Sequence, residues 1–242
     1  MQSNFGRWRN VELYIFLTLA TFFIILTAVV AMLETRMVWP YSGPQAGPVH
    51  PDQNGYAQYQ VMQAMQAGFQ FLAWTYDMKG PMYKINYAFV VSPDRECLAI
   101  IGAGAIGSIP VSGTWLYSRD SQGTLSYSTD KQSCSVIDIS GAIKCQLVPN
   151  APLVTLVQSH REWLHTRGIM PAAFPLGAEI DELRTLMTVH RKEMGRKGLI
   201  TFTDQSEERW RYSFVGAWKM SFVNYWIGLV RAITFGKFPK TA

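Results

Sequence analysis

The sequence predicts a single-span membrane protein with an α+β extramembrane domain, in which an antiparallel β-meander of about 5–6 short strands is followed by helices. Three features predict it. Leu13–Leu33 is an uncharged apolar run of 21 residues, residues 82–148 hold a series of short β-rich segments, and helical periodicity returns after residue 150.

The run LYIFLTLATFFIILTAVVAML interrupts its apolar character only with three threonines and a tyrosine. A hydrocarbon core of about 30 Å takes about 20 residues of helix, and a helix satisfies its own backbone there. A cleaved signal would have a shorter apolar region and an A-x-A-like end; here the run ends Ala28-Val-Val-Ala31. Arg7 and Arg9 precede it, whereas Arg36 is the only basic residue after it until Lys79. The positive-inside rule therefore predicts a short cytoplasmic tail (1–12) and a domain on the outer, periplasmic side of a bacterial inner membrane or its equivalent. Trp8, Trp39 and Tyr41 flank the span where interfacial aromatics sit.

Residues 34–55 read as a Pro/Gly-rich linker, with four prolines and three glycines between Pro40 and Gly55. From Tyr56 to Tyr76 the apolar positions Val61, Met65, Phe69, Leu72 and Tyr76 have helical spacing. No charge occurs between Asp52 and Asp77, and Gln60, Gln63, Gln66 and Gln70 fall on the other face. Such a helix suits burial in the domain or contact with another subunit.

The β-rich runs are MYKINYAFVV, ECLAIIGAG, SIPVSGTWLYS, GTLSYST, CSVIDI and AIKCQLV, broken at Ser92-Pro93-Asp94, Asp120–Gly123 and Ser140-Gly141. Cys134 and Cys145 would flank the last hairpin, facing each other or not according to where it turns. Asn150 as cap and Pro152 at the first helical position open a helix to about Thr166. A second helix spans Leu176–Met194, with Gly195 and Gly198 ending it. The extramembrane domain is thus expected to cover 56–205, and residues 206–242 to form an aromatic, basic helix at the membrane surface, on a partner, in the core, or as a second span.

Several patterns invite a chemical reading. Gly102-Ala-Gly104-Ala-Ile-Gly107 matches G-x-G-x-x-G, but Pro110 and β-rich sequence follow where a dinucleotide site needs a helix. Those glycines are expected to serve the fold. His160 and His165 are five apart and diverge on a helix; no H-E-x-x-H, C-x-x-C or G-x-S-x-G occurs. His160 and His190 are expected to be satisfied core residues. Asp181-Glu182 and Glu207-Glu208 are adjacent rather than facing, and suit first-turn acids opposing a helix dipole. No catalytic, metal or cofactor residues are assigned, and no nucleic-acid partner is expected.

The net charge of +5 resides in residues 151–242, with 13 Lys+Arg against 8 Asp+Glu. This basic balance beside a membrane fits anionic lipid headgroups or acidic subunits, or simply a solvated surface. The residues expected to make such contacts are Trp210, Trp218, Lys219, Tyr225, Trp226 and Arg231. The functional expectation is a non-catalytic scaffold or accessory subunit of a multi-protein inner-membrane complex. Its rivals are a membrane-anchored enzyme whose site assembles from scattered residues, and a transient assembly factor.

Overall fold

The computed structural model describes residues 3–33, 35–37, 55–79, 83–106, 109–131, 143–203 and 209–223. The chain divides into two units. The larger comprises Val38–Gln132 and Gly141–Glu193; the smaller comprises Met1–Met37, Ser133–Ser140 and Met194–Ala242.

In the larger unit, α2 (Tyr56–Gln66) leads into a six-stranded sheet. Its strands are β2 (Gln70–Lys79), β3 (Tyr83–Val91), β4 (Leu98–Ile106), β5 (Ile109–Arg119), β6 (Leu125–Thr129) and β7 (Lys144–Leu147), hydrogen-bonded in that order. Helices α3 (Leu153–Thr166) and α4 (Glu179–Arg196) follow. The α+β class and the meander are as expected through β6. The β6–β7 pair is parallel, with Ser126 opposite Lys144 and Tyr127 opposite Cys145, so β7 does not return as the second arm of a simple hairpin from β6. Cys134 lies outside the described residues.

Strand alternation sorts the side chains into two layers. Ala88, Val90, Ala99, Ile101 and Leu116 face α2 and α3, joining Ala57, Val61, Ala64, Leu153 and Leu156 in one core cluster. Phe89, Leu98, Leu125 and Tyr127 point the other way and are also buried; Tyr127 stacks on Tyr117 with centroids 5.3 Å apart.

The helix expected over 56–76 ends at Gln66 instead, and β2 begins at Gln70. The stop is a Schellman cap. Gly68 adopts φ +86°, its N–H donates to Met65 O at 3.0 Å, and the Phe69 N–H donates to Ala64 O at 2.9 Å. Gly168 after α3 and Gly198 after α4 take the same role. The start of α3 also differs from expectation. Pro152 is the N-cap, with ψ 153°, while Asn150 is left-handed at φ 59° and donates its N–H to Asp130 O.

The smaller unit contains α1 (Ser3–Leu33) and a three-stranded antiparallel sheet ordered β1 (Thr35–Met37), β9 (Arg209–Tyr212), β8 (Ile200–Phe202). Helix α5 begins at 214 and is described to 223. The expected span Leu13–Leu33 falls within α1. Among the described residues no helix is long and apolar enough to cross a membrane.

Two expectations change here. The stretch given to a linker contains β1, and the segment from 206 opens as strand β9 rather than helix. Arg-Trp-Arg-Tyr alternates with period two: Trp210 and Tyr212 are buried and meet edge to face at 5.5 Å, while Arg211 is exposed. Pairing on both sides, to β1 and β8, makes the strand more favourable than continuing the helix.

Candidate functional site

Of the residues expected to meet a partner or membrane, Trp210 is an interior residue of β9, only 8 % exposed. Trp218 and Lys219 lie on α5; Trp218 is half-buried and stacks on Phe214 with centroids 6.3 Å apart, and Lys219 is exposed. Tyr225, Trp226 and Arg231 lie outside the described residues.

The distribution of side chains on α5 is inverted relative to a solvated helix. Its inward positions are Gly216, Ala217 and Ser221, all buried; its outward positions are Phe214, Val215 and Phe222, about half exposed, with Lys219 among them. Gly216 fixes this facing, because a Cβ there would stand 1.9 Å from the Leu199 carbonyl oxygen. Ser213 caps the helix: its Oγ accepts the Gly216 N–H at 3.0 Å and donates to Gly198 O.

A second apolar surface belongs to α2 and α3, which pack side by side in the larger unit. Tyr59, Met62 and Met65 on α2 and Val154 on α3 are each more than half exposed. Alongside them Phe69, Leu153, Val154 and Val157 line a shallow cleft of about 330 Å³, with Asp94 and Arg161 at its rim. Those two form an exposed ion pair. Partial burial pushes the Asp94 pKa upward, but hydrogen bonds from Ser92 and the Glu96 N–H, with the Arg161 charge, outweigh it and hold the pKa below 3.8.

The densest polar chemistry is enclosed. His160 on α3 is fully buried between Ser128 of β6, 2.8 Å from Nδ1, and Ser118 of β5, 3.0 Å from Nε2. Ser118 donates to Glu96 O at 2.7 Å and has Cys97 Sγ at 3.3 Å. Counting protons assigns the rest. The Ser118 hydroxyl hydrogen is committed to Glu96 O, so Nε2–H and the Cys97 S–H both donate to Ser118 Oγ. Nδ1 then accepts from Ser128, whose single hydroxyl hydrogen is shared with Gln146 Oε1, 2.9 Å away.

The ring is neutral at pH 7. Burial, and next the Arg161 charge, lower its pKa from 6.5 to about 4. Burial likewise raises the Cys97 pKa, more than the Ser118 hydrogen bond lowers it, so the group is a thiol. A neutral imidazole and a protonated thiol closed off from solvent hold β4, β5, β6 and α3 together; neither is poised to attack a substrate. His160 is thus the satisfied core histidine expected from the sequence. No local signal marks Ser118 and Ser128, which are 42 and 32 residues away from it in sequence.

The glycine motif is also structural where it is described. Gly102 and Gly104 lie inside β4, paired with Tyr87 and Ile85 on one side and Gly113 and Val111 on the other. A Cβ at Gly102 would meet the Tyr87 ring at 3.0 Å and the Trp115 ring at 3.2 Å. No helix starts there to receive a pyrophosphate; Gly107 lies outside the described residues. Among the described residues no cluster of three or more His, Cys, Asp or Glu could hold a metal ion. No protein-family model, curated protein or solved structure matches the chain.

Proposed function

We propose that this chain is a non-catalytic scaffold or accessory subunit of an inner-membrane assembly, anchored by α1 and docking a neighbouring subunit through the outward face of α2 and α3. The carrying observation is the exposure of Tyr59, Met62, Met65 and Val154, each 54–56 %. They sit in or beside a helix, Tyr56–Gln66, that has no charged residue to solvate it. Fully burying one such side chain is worth about 1.5–3 kcal/mol, so covering the exposed halves of four would stabilise a complex by several kcal/mol. Met and Tyr are also among the residue types enriched in interface cores.

The anchor reading rests on the surface of α1. Phe16, Leu19, Phe22 and Phe23 are 51–62 % exposed, and their neighbours are apolar as well. Thr18 and Thr27 turn their hydroxyls onto the Tyr14 and Phe23 carbonyls of the same helix, at 2.8 and 2.9 Å. This satisfies those hydroxyls without water, which suits hydrocarbon surroundings. The Arg7/Arg9 flank orients the N-terminus to the cytoplasm and the larger unit to the periplasm.

Mild-detergent purification tests the docking reading. A Met62→Asp/Met65→Asp variant should fold and insert normally but lose the proteins that accompany the wild-type chain in fixed stoichiometry. Unchanged co-purification would reject this face as the docking surface.

A further inference from the structure

We infer that the outward face of α5 is seated in the bilayer beside α1, with Lys219 reaching the phosphates of anionic phospholipids. This deepens the anchor reading above and rests on it. The antiparallel ladder supplies the position. α1 ends at Leu33, Thr35 pairs with Arg211, and α5 starts at 214. Two residues, one inter-strand step and three residues separate the helix ends, so α5 begins within about 23 Å of where α1 ends. α1 also packs on β9. If α1 spans the membrane, the N-terminus of α5 is held at the membrane boundary.

The facing of the helix supplies the chemistry. Gly216 against the Leu199 carbonyl prevents α5 from rolling its apolar side inward, and the Ser213 cap fixes where it starts. Phe214, Val215 and Phe222 therefore remain outward, 49–55 % exposed. Water is a poor medium for that stripe, and acyl chains close to an anchor are a good one. Lys219 interrupts the stripe at a point from which its four-carbon stem can lie along apolar surface while its ammonium reaches the headgroups. Arg211, exposed on β9, adds a second cation just ahead of the helix. A neighbouring subunit is the competing occupant, but two cations beside an apolar stripe at an anchor's exit complement anionic lipid directly.

The test installs a diazirine-bearing residue, one position at a time, at Phe222, Leu19 or Tyr59 of the full-length chain in native membranes. Adducts are identified by mass spectrometry after irradiation. Phospholipid adducts are expected at 222 and 19, and protein adducts at 59. Lipid at 19 with protein or solvent products at 222 would overturn the α5 proposal and leave the anchor intact. Lipid at 222 without lipid at 19 would overturn the anchor and, with it, the seat of α5 beside α1. For the charge, the chain carrying the probe at 222 is reconstituted in phosphatidylcholine vesicles with or without phosphatidylglycerol. Lys219→Gln should cut the lipid-adduct yield roughly fivefold in the anionic vesicles alone, the worth of about one cation at such a surface. An equal effect in both compositions, or none in either, would overturn the headgroup contact.

Discussion

The imidazole Nε2 of His160 lies 3.0 Å from Ser118 Oγ, inside a protein interior that keeps the ring neutral. This contact joins α3 to the C-terminal end of β5, and through Ser118 it reaches Glu96 and Cys97 just ahead of β4. The same geometry makes the fold sensitive to acid.

The folded pKa of His160 is lowered from 6.5 to about 4, so between these values the unfolded chain binds the proton and the folded chain does not. Stability therefore rises with pH through that window and is lost as pH falls from 6.5 toward 4. Integrated over the shift, this amounts to about 3 kcal/mol. His160→Leu should destabilise the protein at pH 7 by about 2–3 kcal/mol, from lost hydrogen bonds and poorer satisfaction of Ser118 and Ser128. It should also flatten this part of the pH dependence. Denaturant titrations of both proteins at pH 7 and pH 5 measure this. Parallel losses in the two proteins would mean that another group titrates.

A buried ion pair secures the first turn of α4. Arg95 Nη2 lies 2.6 Å from Glu179, whose side chain is only 5 % exposed, and Arg95 Nε donates to Phe174 O at 2.9 Å. Glu179→Ala should cost about 3 kcal/mol, because it strands a guanidinium in a mostly dry site and removes an acid from a helix N-terminus. The pair Arg95→Met/Glu179→Leu should cost clearly less than the two single changes added together. Additive losses in chemical denaturation would show that the residues act separately.

Much of the larger unit was legible in the sequence because its signals are local. The runs from Tyr83 to Thr129 alternate and are separated by recognisable turns, and α3 and α4 keep a clean apolar period. The failures occurred where a local signal was outvoted or absent. The apolar series 61, 65, 69, 72, 76 crosses Gly68 without a break, yet a left-handed glycine there ends the helix and the same aromatics become β2. The alternation in Arg209–Tyr212 was hidden by the aromatic run that continues beyond it. The parallel pairing of β7 with β6 depends on how the intervening chain returns, which no periodicity encodes. At the polar core, His160 was readable as a core residue, but only folding brings Ser118, Ser128 and Cys97 to it. The inverted face of α5 was beyond reach as well, because it depends on Gly216 meeting a carbonyl from β8's approach.

The glycine caps allow a comparison between two helices. Gly68 and Gly168 hold the same position after α2 and α3, at φ +86° and +65°. An added methyl at 168 meets nothing within 4 Å, whereas at 68 it would stand 3.3 Å from Pro93 Cγ. Gly168→Ala should therefore cost about 1 kcal/mol, for the left-handed backbone alone. Gly68→Ala should cost more, because Pro93 must also give way. Equal melting temperatures for the two variants would contradict the assigned contact.

The role of β9 separates two truncations that sequence alone would treat as equivalent. A chain ending at Glu208 loses the central strand of the smaller sheet, the only one that bridges β1 and β8. Trp210 and Tyr212 leave with it, together worth about 3–6 kcal/mol of burial. A chain ending at Tyr212 keeps all three strands and removes α5 with everything beyond. In hydrogen exchange, the amides of Ile200–Phe202 should lose protection in the first chain. In the second they should retain at least part of it, because β9 still pairs Ile200 with Tyr212 and Phe202 with Trp210. Amides of β3, β4 and β5 should stay protected in both, since their ladders draw nothing from residues after 208. If 200–202 exchange equally fast in both truncated chains, then α5, through the Gly216 and Ser213 contacts, holds the small sheet together, and β9 alone does not suffice.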